Sequence, residues 1–252
     1  MTVFSGVGQS EYSETKEQHY AHILGWHMGV ACRAMGKWKS DYLMIDATAG
    51  TGKLYDCGEI DGSPLVFLRQ AFFYLGRQWR AIFCEQNPAS FDLLRKNVGS
   101  LGNVELCQSD YQSVLSRSFG KNQIGLLYVD ENGTPDFAAL SGFARRNPLM
   151  EILISVTATG VKRGKVTELR LGEWVRQMGK RYWGIRKPYG QWQWTFLFGS
   201  DYVGFNKDYR KIDMYPIDSK NGQSFLDVAS YTQKELAKKA QPPLLTEPMP
   251  NI

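Results

Sequence analysis

The stretch that decides the fold runs from Asp41 to Leu54, DYLMIDATAGTGKL. Tyr42 to Ile45 read as a short buried strand, and Asp46 stands at its carboxyl end. Ala49-Gly50-Thr51-Gly52 form the turn that follows, where missing or minimal side chains let a ligand come close to the backbone. The pattern Asp-x-x-Ala-Gly-x-Gly differs from the dinucleotide fingerprint Gly-x-Gly-x-x-Gly. A tight strand-to-helix turn with no ligand is the competing reading of these residues alone.

Three further strand-like runs stop at an acid. Arg80 to Cys84 ends at Glu85, Val104 to Cys107 leads to Asp110, and Ile124 to Val129 ends at Asp130. In open parallel α/β sheets a ligand sits outside the carboxyl ends of the strands, near the point where strand order reverses. A single strand-end acid is commonly a helix N-cap. Four in succession favour a shared site, where acids meet a ribose, an adenine amino group and a reacting group.

The order of these pieces resembles the class I S-adenosylmethionine-dependent methyltransferases, and more narrowly the three-Cys-motif partner family. The narrower likeness rests on the Asp-x-x-Ala-Gly-x-Gly turn, on Gly62-Ser63-Pro64-Leu65, on Glu85 and Asp110, and on Asp130 followed closely by Gly133; it covers roughly residues 40 to 160. The resemblance implies a seven-stranded Rossmann-like α/β sheet, mostly parallel, with a C-terminal antiparallel hairpin and helices on both faces. It implies S-adenosyl-L-methionine as cofactor. Asp46, Ala49, Gly50 and Gly52 would line its methionine part, Glu85 would bind the ribose hydroxyls, and Asp110 would contact adenine. Asp130 would face the methyl group and the substrate. Members of that family are named for a companion protein, so a binding role with vestigial catalysis stays open.

From Gly52 to Glu85 the chain is longer than the ~20 residues expected between a nucleotide-binding turn and its ribose acid. The excess falls in Lys53 to Asp61, read either as a lid over the cofactor or as an ordinary surface loop. After it, Ser63 reads as an N-cap and Pro64 as the first helical residue. The helix from Pro64 to Gly76 is expected to bury Leu65, Leu68, Phe72 and Leu75.

At 252 residues and 43% hydrophobic composition the chain suits one sizeable α/β core. Its expected organisation is a helical extension over residues 1–40, with Tyr20, Ile23, Leu24 and His27 at turn spacing, that packs on the sheet or closes its cofactor edge, the sheet domain over 41–200, and a C-terminal extension over 201–252 with a Pro-rich tail. No apolar stretch approaches the ~20 residues that span a bilayer, and Met1 to Gly25 is too polar for a secretory signal, so a cytoplasmic protein without membrane contact is expected. Cys32, Cys57, Cys84 and Cys107 show no Cys-x-x-Cys spacing. His19, His22 and His27 lack a cysteine or acidic partner at ligand spacing, and no metal is expected.

Charge is uneven. Residues 1–140 carry 12 Lys+Arg against 15 Asp+Glu, a net of −3, while residues 141–252 carry 18 against 10, a net of +8. Between Arg145 and Lys187 the only acids are Glu151, Glu168 and Glu173. This pattern suits a polyanion, with DNA favoured over RNA, and equally a solvated basic face without a partner. Arg163 and Lys165 are the candidate phosphate contacts. The rings of Tyr182, Trp183, Tyr189, Trp192 and Trp194 are interleaved with these charges and offer stacking surfaces for an unpaired base. Trp192, Trp194, Phe196 and Phe198 alternate along one strand face. Core packing is expected of Trp194 and Phe196, and substrate contact of Tyr189 and Trp192 at the Pro188-Tyr189-Gly190 turn.

Asp130-Glu131-Asn132-Gly133 occupies the place where amino-methylating nucleic-acid enzymes carry Asp-Pro-Pro-Tyr. The aspartate is kept; both prolines and the tyrosine are missing. Asp130 and Asn132 can supply acceptors for an exocyclic amine of the N6-adenine type, and they are the candidate catalytic pair. The roughly twenty residues between Asp130 and the next strand leave no room for a recognition domain, so a protein partner is expected to supply target selectivity. The two functions carried forward are methylation of a nucleic-acid base and a cofactor-binding partner role without turnover.

Overall fold

A computed structural model describes residues 13–54, 60–131, 133–163 and 171–240. In chain order these form α1 (Ser13–Trp38), β1 (Tyr42–Asp46), β2 (Lys53–Leu54), β3 (Ile60–Asp61), α2 (Ser63–Leu75), β4 (Trp79–Cys84), α3 (Pro88–Val98), β5 (Val104–Cys107) and α4 (Tyr111–Leu115). They continue with β6 (Gly125–Val129), α5 (Phe137–Arg146), β7 (Met150–Val156), α6 (Ala158–Arg163), α7 (Leu171–Gln177), β8 (Tyr182–Arg186) and β9 (Thr195–Ser200). Last come α8 (Val203–Asp208), a 3-10 turn (Tyr209–Ile212), β10 (Met214–Pro216), α9 (Lys220–Ala229) and α10 (Gln233–Ala240).

Tyr42 to Asp46 form the buried central strand because they are flanked on both sides by parallel partners, β4 and β6. A parallel strand covered on both faces reads as an unbroken apolar run. Tyr42 and Met44 enter the core under α1, α2 and α3, while Leu43 and Ile45 enter the core under α4, α5, α7 and α9. The sheet order is β10-β8-β9-β7-β6-β1-β4-β5. Strand order reverses between β1 and β6, so the crevice expected of such a sheet opens beyond Asp46 and Asp130. β9 runs antiparallel to β7 and β8, which is the expected closing hairpin.

The sheet has eight strands where seven were expected. The extra one, β10, pairs antiparallel with the outer edge of β8. Three residues containing Pro216 carry no readable strand period, and Pro at an edge needs no ladder donor.

Two local expectations fail on α2. Its N-cap is Gly62, without a side-chain cap bond; the Ser63 hydroxyl instead donates to Asp46. Of the face expected from the sequence, Leu75 is buried and Leu65 and Leu68 are partly buried against the core, but Phe72 is 82% exposed, and Val66, Phe67 and Ala71 are buried instead. The helix is apolar almost all round, so periodicity could not choose its face. Packing against the sheet and α1 did; on the α1 side, a Cβ at Gly25 would lie 3.4 Å from Tyr74 and 3.2 Å from Gln70.

α1 is helical over 26 residues because Tyr20, Ile23, Leu24, His27, Met28, Ala31 and Met35 recur at three- and four-residue spacing and are all buried. His27 sits inside this interface, with Nδ1 2.8 Å from the Tyr42 hydroxyl and Nε2 3.2 Å from Glu151. It is a core histidine. Among the described residues no group of three or more His, Cys, Asp or Glu is placed to hold a metal, and no helix is long and apolar enough to cross a membrane.

Candidate cofactor crevice and active site

The turn after β1 is held from two sides. Ala47 N–H donates to Tyr128 C=O at 2.9 Å and Ala49 N–H to Cys84 C=O at 2.8 Å, tying the turn to β6 and β4. Gly50 and Gly52 have φ of +59° and +77°, a region that side-chain-bearing residues enter with strain. A Cβ on Gly52 would press on Leu94 at 3.2 Å, whereas one on Gly50 would meet nothing within 4 Å. Gly52 is therefore needed for packing, and Gly50 presents bare backbone to open space beside a buried Ala49. The short ribbon β2–β3 follows; residues 55–59, the middle of the expected lid or loop, lie outside the described residues.

Four carboxylates converge on this edge. Asp46 is fully buried; Oδ1 accepts from Thr48 N–H at 3.2 Å and Oδ2 from the Ser63 hydroxyl at 2.6 Å. Burial pushes its pKa up to about 7 despite those two hydrogen bonds. Glu85, at the end of β4, accepts from Asn87 N–H at 2.7 Å through Oε1. Asp110 is exposed and caps α4, accepting from Ser113 N–H at 3.0 Å through Oδ1. The N-cap alternative weighed for strand-end acids is thus the local role of Asp110, and it leaves Oδ2 for a ligand. Asp130 N–H donates to the Thr48 hydroxyl at 2.8 Å, so the loops after β1 and β6 are stitched together at the reversal point.

The amino end of α1 enters the same edge. Lys16 Nζ lies 2.5 Å from Asp130 Oδ2, and burial, which would lower its pKa, is outweighed by Asp130, so the ammonium is held above its ordinary value. Glu17 is buried beside it. Tyr20 packs on Tyr128 with ring centroids 4.4 Å apart and ring planes tilted by 31°. Tyr20 belongs to the helix expected to pack on the sheet or close its cofactor edge, whereas Lys16 and Glu17 were not singled out from the sequence. The available signal was Glu17 itself, a carboxyl three residues before Tyr20 on the stripe that α1 buries.

The remaining candidates distribute as follows. Asn132 and Lys165 lie outside the described residues, and Arg163 is the last residue of α6, near the carboxyl end of β7. Tyr189 and Trp192 are 48% and 47% exposed, whereas Trp194, Phe196 and Phe198 are buried. Trp192 C=O accepts from Ala158 N–H at 3.0 Å, which fixes the β8–β9 turn beside the start of α6. Arg186 ends β8 and Lys187 follows it on the same edge, with the Arg186 guanidinium 5.8 Å from the centre of the Trp194 ring.

The basic run does not form one patch. Arg145 and Arg146 end α5, and the Arg146 guanidinium donates to Leu115 C=O. Lys180 is buried, bonded to Pro148 C=O at 2.7 Å and to Asp201 at 3.1 Å. These three, with Arg181 before β8, lie at the amino ends of the strands, away from the crevice. A cavity of about 570 Å³ opens at that far end, lined by α1, α8 and the loop before β7, and does not belong to the crevice.

With this geometry in hand, the solved structures it is similar to fall on one fold. A probable spermidine synthase from Corynebacterium glutamicum ATCC 13032 aligns over 92% of this chain and 83% of its own, with a TM-score of 0.54 and 14% identity. Protein LPL1258 from Legionella pneumophila str. Philadelphia 1 aligns over 77% and 90%, with a TM-score of 0.52 and 15% identity. The N-methyltransferase NodS from Bradyrhizobium japonicum WM9 aligns over 77% and 99% with a TM-score of 0.46 and 10% identity. No family model matches the chain, and no curated protein matches it in sequence. The chain has a Rossmann-like α/β fold.

Chemically, the edge is an acidic crevice. Glu17, Asp46 and Asp130 surround the Lys16 ammonium, which is already paired with Asp130, and Glu85, Asp110 and Glu131 follow the carboxyl ends of the neighbouring strands. Such a crevice suits a ligand that brings its own positive charge, a diol and an amino group. A sulfonium nucleoside fits: bare backbone at Gly50 admits its chain, Glu85 keeps an oxygen for a diol, and Glu17 keeps an unpaired Oε2.

Proposed function

We propose that this protein is an S-adenosylmethionine-dependent methyltransferase acting on nucleic acid, most plausibly on a base amine of DNA. One observation carries the reading: the positive-φ turn Ala49–Gly52 and the carboxyls of Asp46, Glu85, Asp110 and Asp130, far apart in the chain, share one edge at the reversal of strand order. The cofactor supplies a methyl group already activated on a positive sulfur, so the chain has only to bind, orient and exclude water. Asp46, Ala49, Gly50 and Gly52 hold the aminoacyl part, Glu85 the ribose and Asp110 the adenine. Asp130 and Asn132 orient the target amine. Tyr189 and Trp192, exposed on the rim with Arg186 and Lys187 at hand, receive the base and its phosphates, with Arg163 and Lys165 on the adjoining segment.

The resemblance to the three-Cys-motif partner family supports a companion protein that selects the target. One observation favours the second reading, a cofactor-binding partner without turnover: Asp130 Oδ2 is held by Lys16, so the acceptor needed for an amine is occupied until that ion pair opens.

Incubation with a methyl-labelled donor and mixed DNA and RNA tests both. Label in either polymer that vanishes in Asp130→Ala supports the enzyme; donor binding with no label in any polymer supports the partner role. Neutralising Arg163 and Lys165 together should flatten the salt dependence of nucleic-acid binding, and an unchanged slope removes that segment from the interface.

A further inference from the structure

The first turns of α1 bring into the crevice a carboxyl that the roles assigned above leave unused. Glu17 is 7% exposed, and its Oε2 is buried without a hydrogen-bond partner among the described residues. The charged groups facing it are Lys16 on its own helix, Asp130 after β6 and Asp46 at the end of β1. The Tyr20 and Tyr128 phenols are also within its field, and both hydroxyls lack partners among the described residues. Lys16 is committed to Asp130. A buried polar atom without a hydrogen-bond partner destabilises a fold. Here the natural remedy is a ligand that brings positive charge.

We propose that Glu17 is the residue by which this crevice distinguishes a charged sulfonium donor from its uncharged thioether product. The carboxyl is ionised while the positive sulfur is bound and carries a proton otherwise. This rests on the cofactor reading above and adds a role for α1 in binding and release.

The electrostatics run in the required direction. Burial, partly offset by Lys16 and reinforced by Asp130 and Asp46, pushes the Glu17 pKa up to about 8, so at neutral pH the free chain holds it as the neutral acid. A unit positive charge brought beside a buried carboxyl favours its ionised form. Donor docking therefore expels the Glu17 proton to solvent, and no other bond changes. The thioether has the same ammonium, carboxylate and nucleoside but no charge on sulfur, so it leaves the proton in place. Donor affinity rises with pH up to about 8, by at most tenfold per pH unit for one coupled proton. Thioether affinity lacks this dependence. Loss of the sulfur charge on methyl transfer returns the proton to Glu17 and loosens the product.

Calorimetry of the full chain with S-adenosylmethionine and with S-adenosylhomocysteine, in buffers of different ionisation enthalpy between pH 6 and 8.5, tests this. The expected result is close to one proton released at pH 7 with the donor and none with the thioether, and Glu17→Gln abolishing the difference while still binding both. The infrared stretch of a protonated carboxyl in the wild-type chain, lost with donor and kept with thioether, answers the same question without a variant. Equal proton release with the two ligands, no release with either, or unchanged release in Glu17→Gln overturns the inference alone. If neither ligand binds, the cofactor reading falls and takes the inference with it.

Discussion

Asp46→Asn should make the protein more stable at pH 8 while weakening its cofactor site, and the size of the effect follows from the burial of one carboxyl. Asp46 is fully buried, and its pKa rises from an ordinary 3.8 to about 7. At about 1.4 kcal/mol per pH unit, that rise corresponds to about 4 kcal/mol. The sign is set by proton counting. Below about pH 4 both folded and unfolded chains carry the proton, and the folded state keeps its full stability. Between about pH 4 and 7 only the folded chain does, so stability falls as pH rises, and above the folded value the loss is complete. Asparagine removes this dependence. It can accept from Thr48 N–H and donate to the Ser63 hydroxyl, so the exchange of hydrogen bonds costs about 1 kcal/mol. Glu17, pushed to about 8, is common to both chains. The variant should therefore be about 1 kcal/mol less stable than wild type near pH 3, about equal to it near pH 4.5 and about 3 kcal/mol more stable at pH 8. Urea unfolding followed by tryptophan fluorescence at several pH values, with equal m-values, measures the gap. A gap that does not change with pH would refute the argument that Asp46 is kept as an acid at the expense of stability. Donor affinity falling in the same variant would show why it is kept.

Glu85→Ala should weaken donor binding by about 1–3 kcal/mol through loss of a charge-assisted bond to ribose; unchanged affinity by calorimetry takes Glu85 out of the site. Trp192→Ala with Lys187→Ala should weaken single-stranded DNA binding and reduce its salt slope, while the fold, by circular dichroism, stays intact. An unaltered slope would move the nucleic-acid face elsewhere. Gly125→Ala should destabilise the chain by about 3 kcal/mol or prevent folding, because a Cβ there would lie 1.8 Å from the Leu43 carbonyl oxygen at the β1–β6 pairing. Wild-type stability in that variant would contradict the register.

Much of the sheet was legible because central parallel strands are buried on both faces and appear as apolar runs closed by polar residues. Tyr42 to Ile45 and Ile124 to Val129 needed no partner to be recognised. The glycines at 50 and 52 announced a turn with unusual backbone angles, and the alternation of Trp194, Phe196 and Phe198 announced a buried strand face. Three features depended on partners distant in sequence. The buried face of α2 was set by its two partners, the sheet, on which Phe67 packs against Tyr42, Trp79 and Phe83, and α1, which meets Gln70 and Tyr74, while Phe72 is left in solvent. Ser63 left its capping role because a carboxylate seventeen residues earlier lies within its reach. The basic run from Arg145 to Lys187 was divided between opposite ends of the molecule because strands and helices that alternate in direction carry neighbouring residues to opposite edges. The α1 contribution to the crevice belongs with these. Lys16 and Glu17 precede Asp130 by more than one hundred residues, and only the docking of a helix against the sheet brings a lysine onto one carboxylate and buries another. Local periodicity is written into each segment, whereas charge pairing and burial depend on which surfaces meet.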